Sequence, residues 1–260
     1  MSARPSRPHR PGGSFGRMAI DVGRPDGYKG LIDMAEPRDH VPARLPRGKH
    51  GLSPQFVATN QRERLITATV TVVAEKGYGE ATVADILEHS GVSRKTFYDL
   101  FTNKEDCFLS AYDLLIDTLA DTVAAAFARG SSWAERIRNG LRALLELMAD
   151  RPDGARVGLV EVQAAGPRAL DRYDSAIRRF VPLFEQGRAE SPYRDQLPPN
   201  ISEAVLGGIA QVLYLRVLAG ETAGLPDALD ELLYFALVPY LGHAGTIRVA
   251  YARRDADQTG

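Results

Sequence analysis

Arg94, Lys95, Thr96 and Tyr98 stand within five residues of one another, directly behind Ser93. On the first turns of a helix these side chains do one kind of chemistry. A guanidinium and an ammonium donate to guanine edges or phosphates, a threonine reaches a base edge or a thymine methyl, and a tyrosine hydroxyl reaches a phosphate. Thr82 and Ser93, each at a helix start, join them as candidate DNA contacts. Lys104 opens a later helix, where its ammonium and the helix N-terminus offer a backbone phosphate clamp.

Placing these groups requires two helices at a fixed angle. Thr82 caps the first, with Asp85 in capping-box position, and Ser93 caps the second, which runs to about Leu100. Gly91 falls where the chain needs a left-handed turn residue. Val83, Ile86, Leu87, Val92 and Phe97 supply a small shared core, and Ala84 lies on the same buried side. This is the layout of a helix-turn-helix whose second helix enters the major groove. A longer helix precedes it, from the Ser53-Pro54 cap to Gly77. A fourth, with Thr102 and Glu105 as its capping box, runs through Phe108, Leu109, Tyr112, Leu115, Leu119 and Val123 to about Arg129.

The rest also reads as helices, at about 132–149, 153–163, 167–189, 201–220 and 226–241, with Pro152, Pro167 and Pro226 near helix starts. Only Thr69–Val73 has strand propensity, and its helical flanks outweigh it. The expected class is all-α with about nine helices: a three-helix DNA-binding head over 53–104 and a larger helical domain over 105–242. Residues 243–260 are expected as a flexible tail.

Residues 1–52 read as a disordered basic arm: Gly and Pro make up 16 of the first 54 residues, and no apolar period is sustained. The first 50 residues hold ten Lys/Arg and five Asp/Glu, leaving 22 basic and 28 acidic residues behind them. Arg47 and Lys49 in this arm are candidate minor-groove contacts beside the helix-turn-helix, the alternative being a solvated tail that adds salt-dependent attraction.

Composition removes other classes. A charged fraction of 25% and an apolar fraction of 44% belong to an ordinary globular chain. The single cysteine, Cys107, excludes an internal disulfide framework and fits a reducing cytosol. No secretory h-region follows the basic N-terminus, and the most apolar run, Leu232 to Leu241, is too short to span a bilayer. The five histidines are scattered without metal-ligand spacing, and neither a phosphate loop nor a nucleophile elbow is present. The expectation is therefore no catalytic residue, no metal and no cofactor.

Helix Ser53–Lys76, Gly77-Tyr78, Thr82-Val83-Ala84-Asp85-Ile86, Ser90-Gly91-Val92-Ser93, Thr96-Phe97-Tyr98, Phe101 and Lys104-Glu105 together resemble the TetR (tetracycline repressor-like) family of bacterial regulators over about residues 55–110. The resemblance implies a cytoplasmic bacterial repressor that binds palindromic double-stranded DNA as a homodimer and is released by a small effector. Leu100 departs from the family's frequent His or Tyr before Phe101, so no phosphate contact is assigned there; Lys95 stands where many members have Gly.

The resemblance implies that 105–242 is a ligand-binding and dimerising domain, with the effector among its middle helices. Candidate lining residues are Phe108, Tyr112, Trp133, Met148, Gln163, Tyr173, Ile177, Phe180 and Phe184, which suit an apolar or aromatic compound. The last two long helices are apolar on several sides, as packing on both their own domain and a partner requires. Val205, Gly208, Ile209, Val212, Leu233 and Leu237 are the candidate dimer seam. The rival reading is a helical small-molecule binding protein or enzyme with a non-functional DNA motif.

Overall fold

The computed structural model describes residues 53–251. The expected arm contacts Arg47 and Lys49 lie outside the described residues. Ten α-helices follow one another: α1 (Pro54–Lys76), α2 (Val83–Ser90), α3 (Arg94–Leu100), α4 (Lys104–Phe127), α5 (Trp133–Asp150), α6 (Pro152–Leu159), α7 (Pro167–Arg178), α8 (Val181–Glu190), α9 (Ile201–Leu218) and α10 (Leu229–Tyr251). Two 3-10 stretches, Glu161–Ala164 and Thr222–Ala228, join them, and no strand occurs among the described residues.

Local chemistry explains the starts and stops. The Ser53 side chain accepts from Phe56 N–H, and Gly77 ends α1 at φ 82°. Thr82 and Asp85 close a reciprocal capping box, and Gly91 leaves α2 in the left-handed region at φ 61°. The Thr69–Val73 run is helical: Thr69 Oγ1 donates to the Leu65 carbonyl at 2.8 Å, while Val72 and Val73 enter the core.

Four expected boundaries are corrected. The cap of α4 is Asn103, which accepts from Asp106 N–H, while the Asp106 carboxylate accepts from Thr102 N–H, so the expected Thr102-Glu105 box does not form. The single helix expected at 167–189 divides into α7 and α8, because Pro182 carries no N–H to continue the ladder. Pro226 lies inside the 3-10 stretch rather than at the start of α10. Residues 243–251, expected as flexible, continue α10 beyond a bend at Gly242 (φ 67°). Arg138 anchors that end by donating to the Val249 carbonyl at 2.7 Å, and Thr246 is buried.

Burial divides into two joined cores. The upper one gathers Trp133, Ile137, Leu145, Phe184, Leu213, Leu233, Leu237 and Tyr240 from α5, α8, α9 and α10. The lower one holds the head together through Leu65, Val73, Ile86, Val92, Phe97, Phe101 and Phe108, and it also takes in Val157, Val162 and Ala169 from the second half of the chain. Buried Glu161 ties the same junction: one carboxylate oxygen accepts from Tyr78 N–H at 2.9 Å and the other pairs with Arg156 at 3.1 Å. The head core is therefore shared with the second half of the chain. Helix α9 is long and apolar enough to cross a membrane by length and composition, which corrects the expectation based on Leu232 to Leu241. Its Val205, Leu206, Ile209, Leu213 and Val217 are instead buried against this chain.

Two outcomes follow from this packing. Gly187 lies so close to Trp133 that an added Cβ would sit 2.3 Å from the indole, so Gly187→Ala should cost about 1–3 kcal/mol in urea unfolding. Asp85 is held down at about 2 by hydrogen bonds from Lys76 and then Thr82, against an ordinary 3.8. A carboxylate lowered in this way stabilises the fold above its ordinary value and ceases to do so as pH falls towards about 2. Asp85→Asn should therefore lower the urea midpoint at pH 7, and the gap from the parent chain should close between those two pH values.

Candidate nucleic-acid interface and effector cavity

Helix α3 has two faces. Phe97 is fully buried, packing 5.8 Å from Phe101, and fixes the helix to the head. Arg94, Lys95, Tyr98 and Asp99 fall at i, i+1, i+4 and i+5 and are all exposed, Tyr98 to 52%. An exposed aromatic ring beside two cations, on a capped helix, suits a groove lined by phosphates. Lys95 Nζ lies 3.1 Å from Asp99 Oδ2, in a pair that is exposed on both sides. Such a pair contributes less than about 1 kcal/mol, so the ammonium is available to a stronger partner. Asp99 was not foreseen as part of this face. Its carboxylate can accept from a cytosine amino group and repels phosphate.

Other expected DNA residues are engaged with the protein itself. Ser93 Oγ accepts from Thr96 N–H at 3.1 Å and lies 2.9 Å from Thr96 Oγ1. Thr82 accepts from Asp85 N–H, and its hydroxyl donates to the same carboxylate at 2.7 Å. Both side chains set helix starts, and a helix start presents free N–H groups to a phosphate. Lys104 is a correction. Its ammonium donates to the Tyr78 and Ala81 carbonyls at 2.7 and 2.8 Å and lies 4.2 Å from the Tyr78 ring centroid. It ties α4 to the turn between α1 and α2 instead of clamping a phosphate. A second tie comes from buried Arg64 on α1, which donates to the Ser90 carbonyl at the helix-turn-helix turn. Leu100, half-buried, packs against the head core.

Behind the head lies a cavity of about 1310 Å³. Along α5 its lining runs from Ile137 to Asp150, about 20 Å at the helical rise. Its walls are apolar: Leu115, Val123 and Phe127 from α4, Leu141 and Met148 from α5, Phe184 from α8, and Leu206 and Ile209 from α9. Tyr112, Met148, Tyr173, Ile177, Phe180 and Phe184 line it.

Three other expected lining residues do not. Phe108 is sealed in the head core, edge-on to Tyr78 at 4.8 Å. Trp133 donates from Nε1 to the Leu183 carbonyl at 2.9 Å and packs 4.8 Å from Tyr240. Gln163 is exposed, beside the Leu159 carbonyl.

The floor of the cavity was missed from sequence. It is α1 of the head, through Ile66, Thr67, Val70, Thr71 and Glu75. Their spacing marks a second stripe on α1, beside the Leu65, Ala68, Val72 face that fills the head core. Cys107 lies in that same core, 3.1 Å from Thr69 Oγ1, and burial pushes its thiol up to about 11. That keeps the sulfur protonated and unreactive at neutral pH.

The expected dimer seam is corrected too. Val205, Ile209, Leu233 and Leu237 are buried within this chain, and Val212 is partly buried. Gly208 is covered by Phe235, whose ring would lie 2.7 Å from an added Cβ. The outward face of α9 is formed by Ala204, Gly207, Gln211, Leu215 and Leu218, with Phe235 of α10 exposed beside it.

Comparison with known proteins bears on this arrangement. Residues 65–111, which span the second half of α1, the helix-turn-helix and the start of α4, match the family model of bacterial regulatory proteins of the tetR family. The HTH-type transcriptional regulator EthR of Mycolicibacterium smegmatis is 29% identical over 190 residues, covering 70% of this chain and 85% of that protein. The chain belongs to the TetR family.

Solved structures agree with the fold of this TetR-family regulator. The fatty acid degradation regulator FadR from Bacillus halodurans superposes with a TM-score of 0.62 at 19% identity, over 68% of this chain and 94% of that one. FadR from Bacillus subtilis, solved in complex with stearoyl-CoA, superposes with a TM-score of 0.58 at 18% identity, over 69% and 98%. Since Lys104 ties the head and Lys95 faces outward, their substitutions should separate. Lys104→Met should lower the unfolding midpoint. Lys95→Ala should leave the midpoint within about 0.5 kcal/mol of the parent while weakening specific DNA binding by about 1–3 kcal/mol in a titration.

Proposed function

We propose that this TetR-family chain is a cytoplasmic repressor that binds palindromic DNA as a homodimer and is released by a long apolar effector. The observation that carries this reading is the cavity floor. The helix that lines the effector site, α1, is also the helix against which α2 and α3 are packed. A ligand pressing on Thr67, Val70 and Thr71 acts on the head directly, and one pressing on Leu115 and Leu119 acts on it through α4.

The DNA contacts in this reading come from Arg94, Lys95, Thr96 and Tyr98, with the helix starts at Thr82 and Ser93 and the arm residues Arg47 and Lys49 adding backbone and minor-groove contacts. The partner copy covers the apolar strip of Leu215, Leu218 and Phe235, giving a twofold arrangement suited to palindromic half-sites about 34–36 Å apart. An effector that shifts α1 and α4 by a few ångströms breaks that spacing. The cavity exceeds the common range of about 300–1,000 Å³ for ligand sites, and its apolar lining along the length of α5 favours an extended hydrocarbon. The stearoyl-CoA bound by the Bacillus subtilis neighbour is a ligand with such a chain. The chemistry is binding, with no catalytic step.

The test is a footprint and salt titration on the DNA upstream of the chain's own coding sequence. Protection of two half-sites about one turn apart, lost on adding a saturating long-chain compound, is the expected result. Protection that does not respond to any such compound would remove the effector from the proposal. For the assembly, Leu215→Arg with Phe235→Glu should convert a dimer into a monomer in sedimentation and reduce operator affinity at least tenfold. A variant that remains dimeric would place the seam elsewhere.

A further inference from the structure

The charged lining residues of the cavity are concentrated at one end. Glu75, His89, Asp150 and Asp153 are exposed lining residues, and they meet where the C-terminal end of α1, the end of α5 and the start of α6 converge. This end is the mouth. It carries three carboxylates against one guanidinium, Arg151, which has Asp150 as its sequence neighbour. Asp153 occupies the first turn of α6, so the positive end of that helix already faces a carboxylate.

A second, independent feature lies deeper on the same side. Tyr112 is 1% exposed and lines the cavity from α4, with Tyr173 opposite it on α7. Among the described residues neither hydroxyl makes a hydrogen bond to the protein, and because both side chains line the cavity, each O–H is placed to donate to a molecule inside it. Both phenols are raised in pKa by burial, so each remains a neutral O–H donor. The wall beyond them, from Val123 and Phe127 to Phe184 and Ile209, is apolar.

We propose that this cavity selects a long-chain compound with an uncharged oxygen head group, an alcohol or a simple ester, whose oxygen accepts from Tyr112 and Tyr173, and that its acidic mouth discriminates against phosphate-bearing thioesters. The proposal rests on the reading of this cavity as the effector site. A nucleotide-bearing head brings several negative charges to a rim that already holds Glu75, Asp150 and Asp153, where like charges in a partly desolvated setting repel. An alcohol or ester brings none, and gives two orphaned donors their partner.

The experiment compares stearyl alcohol, methyl stearate and stearoyl-CoA, each kept below its aggregation limit, for displacement of an environment-sensitive fluorophore from the full chain. The alcohol and the ester should displace at concentrations at least tenfold lower than the CoA thioester. Tyr112→Phe should weaken the alcohol and the ester by about tenfold, the loss expected for one buried hydrogen bond. If that variant fails to fold, Tyr173→Phe supplies the same reading. Glu75→Gln with Asp153→Asn should narrow the gap by strengthening stearoyl-CoA. Binding of stearoyl-CoA as tight as that of the alcohol overturns the proposal and leaves the effector reading in place. If none of the three displaces the fluorophore or raises the thermal midpoint, the cavity is not a long-chain site, and both readings fall.

Discussion

The packing of α1 is the constraint on which the rest depends. Leu65, Ala68, Val72 and Val73 fill the head core, while Thr67, Val70 and Thr71 close the cavity from below. One rigid rod thus has two jobs that cannot be performed independently. A helix moves as a body, because its hydrogen bonds bind each residue to the turn before it. Anything that displaces the cavity face also displaces the platform under α2 and α3. In the proposed mechanism, the close packing of Phe97 and Ile86 would turn a small shift of that platform into a reorientation of α3, because a dense core is not compressible enough to absorb it.

Charged groups bonded to backbone hold the joints of this assembly. Arg64 reaches the Ser90 carbonyl, Lys104 spans the Tyr78 and Ala81 carbonyls, and Glu161 accepts from Tyr78 N–H. Each of them fixes a turn rather than a helix. Burying a charge costs several kcal/mol unless its hydrogen bonds are made, so these contacts are specific in geometry even where their net stabilisation is small. Tyr78 is the meeting point of two of them. Its N–H faces the second half of the chain and its carbonyl faces α4, so the turn after α1 is held from both sides. The two halves are therefore linked by directed bonds as well as by the shared apolar core.

Much of this was legible in the residues. The caps Ser53, Thr82, Ser93 and Ser132 and the left-handed Gly91 act locally, through bonds to atoms three or four positions away, and local signals survive in sequence. What was not legible is which face of an apolar helix meets which neighbour. Helix α9 is apolar almost all round, so periodicity does not say that Val205 and Ile209 point inward while Leu215 and Leu218 point outward. Lys104 at a helix start looks the same in sequence whether its ammonium meets a phosphate or two carbonyls of the preceding turn. Trp133 and Phe108 are aromatic residues at helical spacing, and only the tertiary packing distinguishes sealed core from cavity wall. The floor formed by α1 was missed for a related reason: Thr67 and Thr71 are polar by type yet face a hydrophobic space.

Charge distribution connects the reading head to its release. Behind residue 50 the chain holds 28 acidic and 22 basic residues, so the folded body as a whole repels DNA. Attraction is left to a few cations, Arg94 and Lys95 on α3 and the basic residues before α1. Each phosphate contact contributes through counterion release, and a protein with few such contacts has a small reserve of non-specific affinity. For such a chain the exact placement of α3 decides whether it stays bound, because little electrostatic attraction remains once the base and phosphate contacts slip. Asp99 sharpens this dependence. In register it can face a base donor, and out of register it faces phosphate. On the proposed reading, a small push from below would release a head built this way, and the cavity under α1 is where it would be delivered.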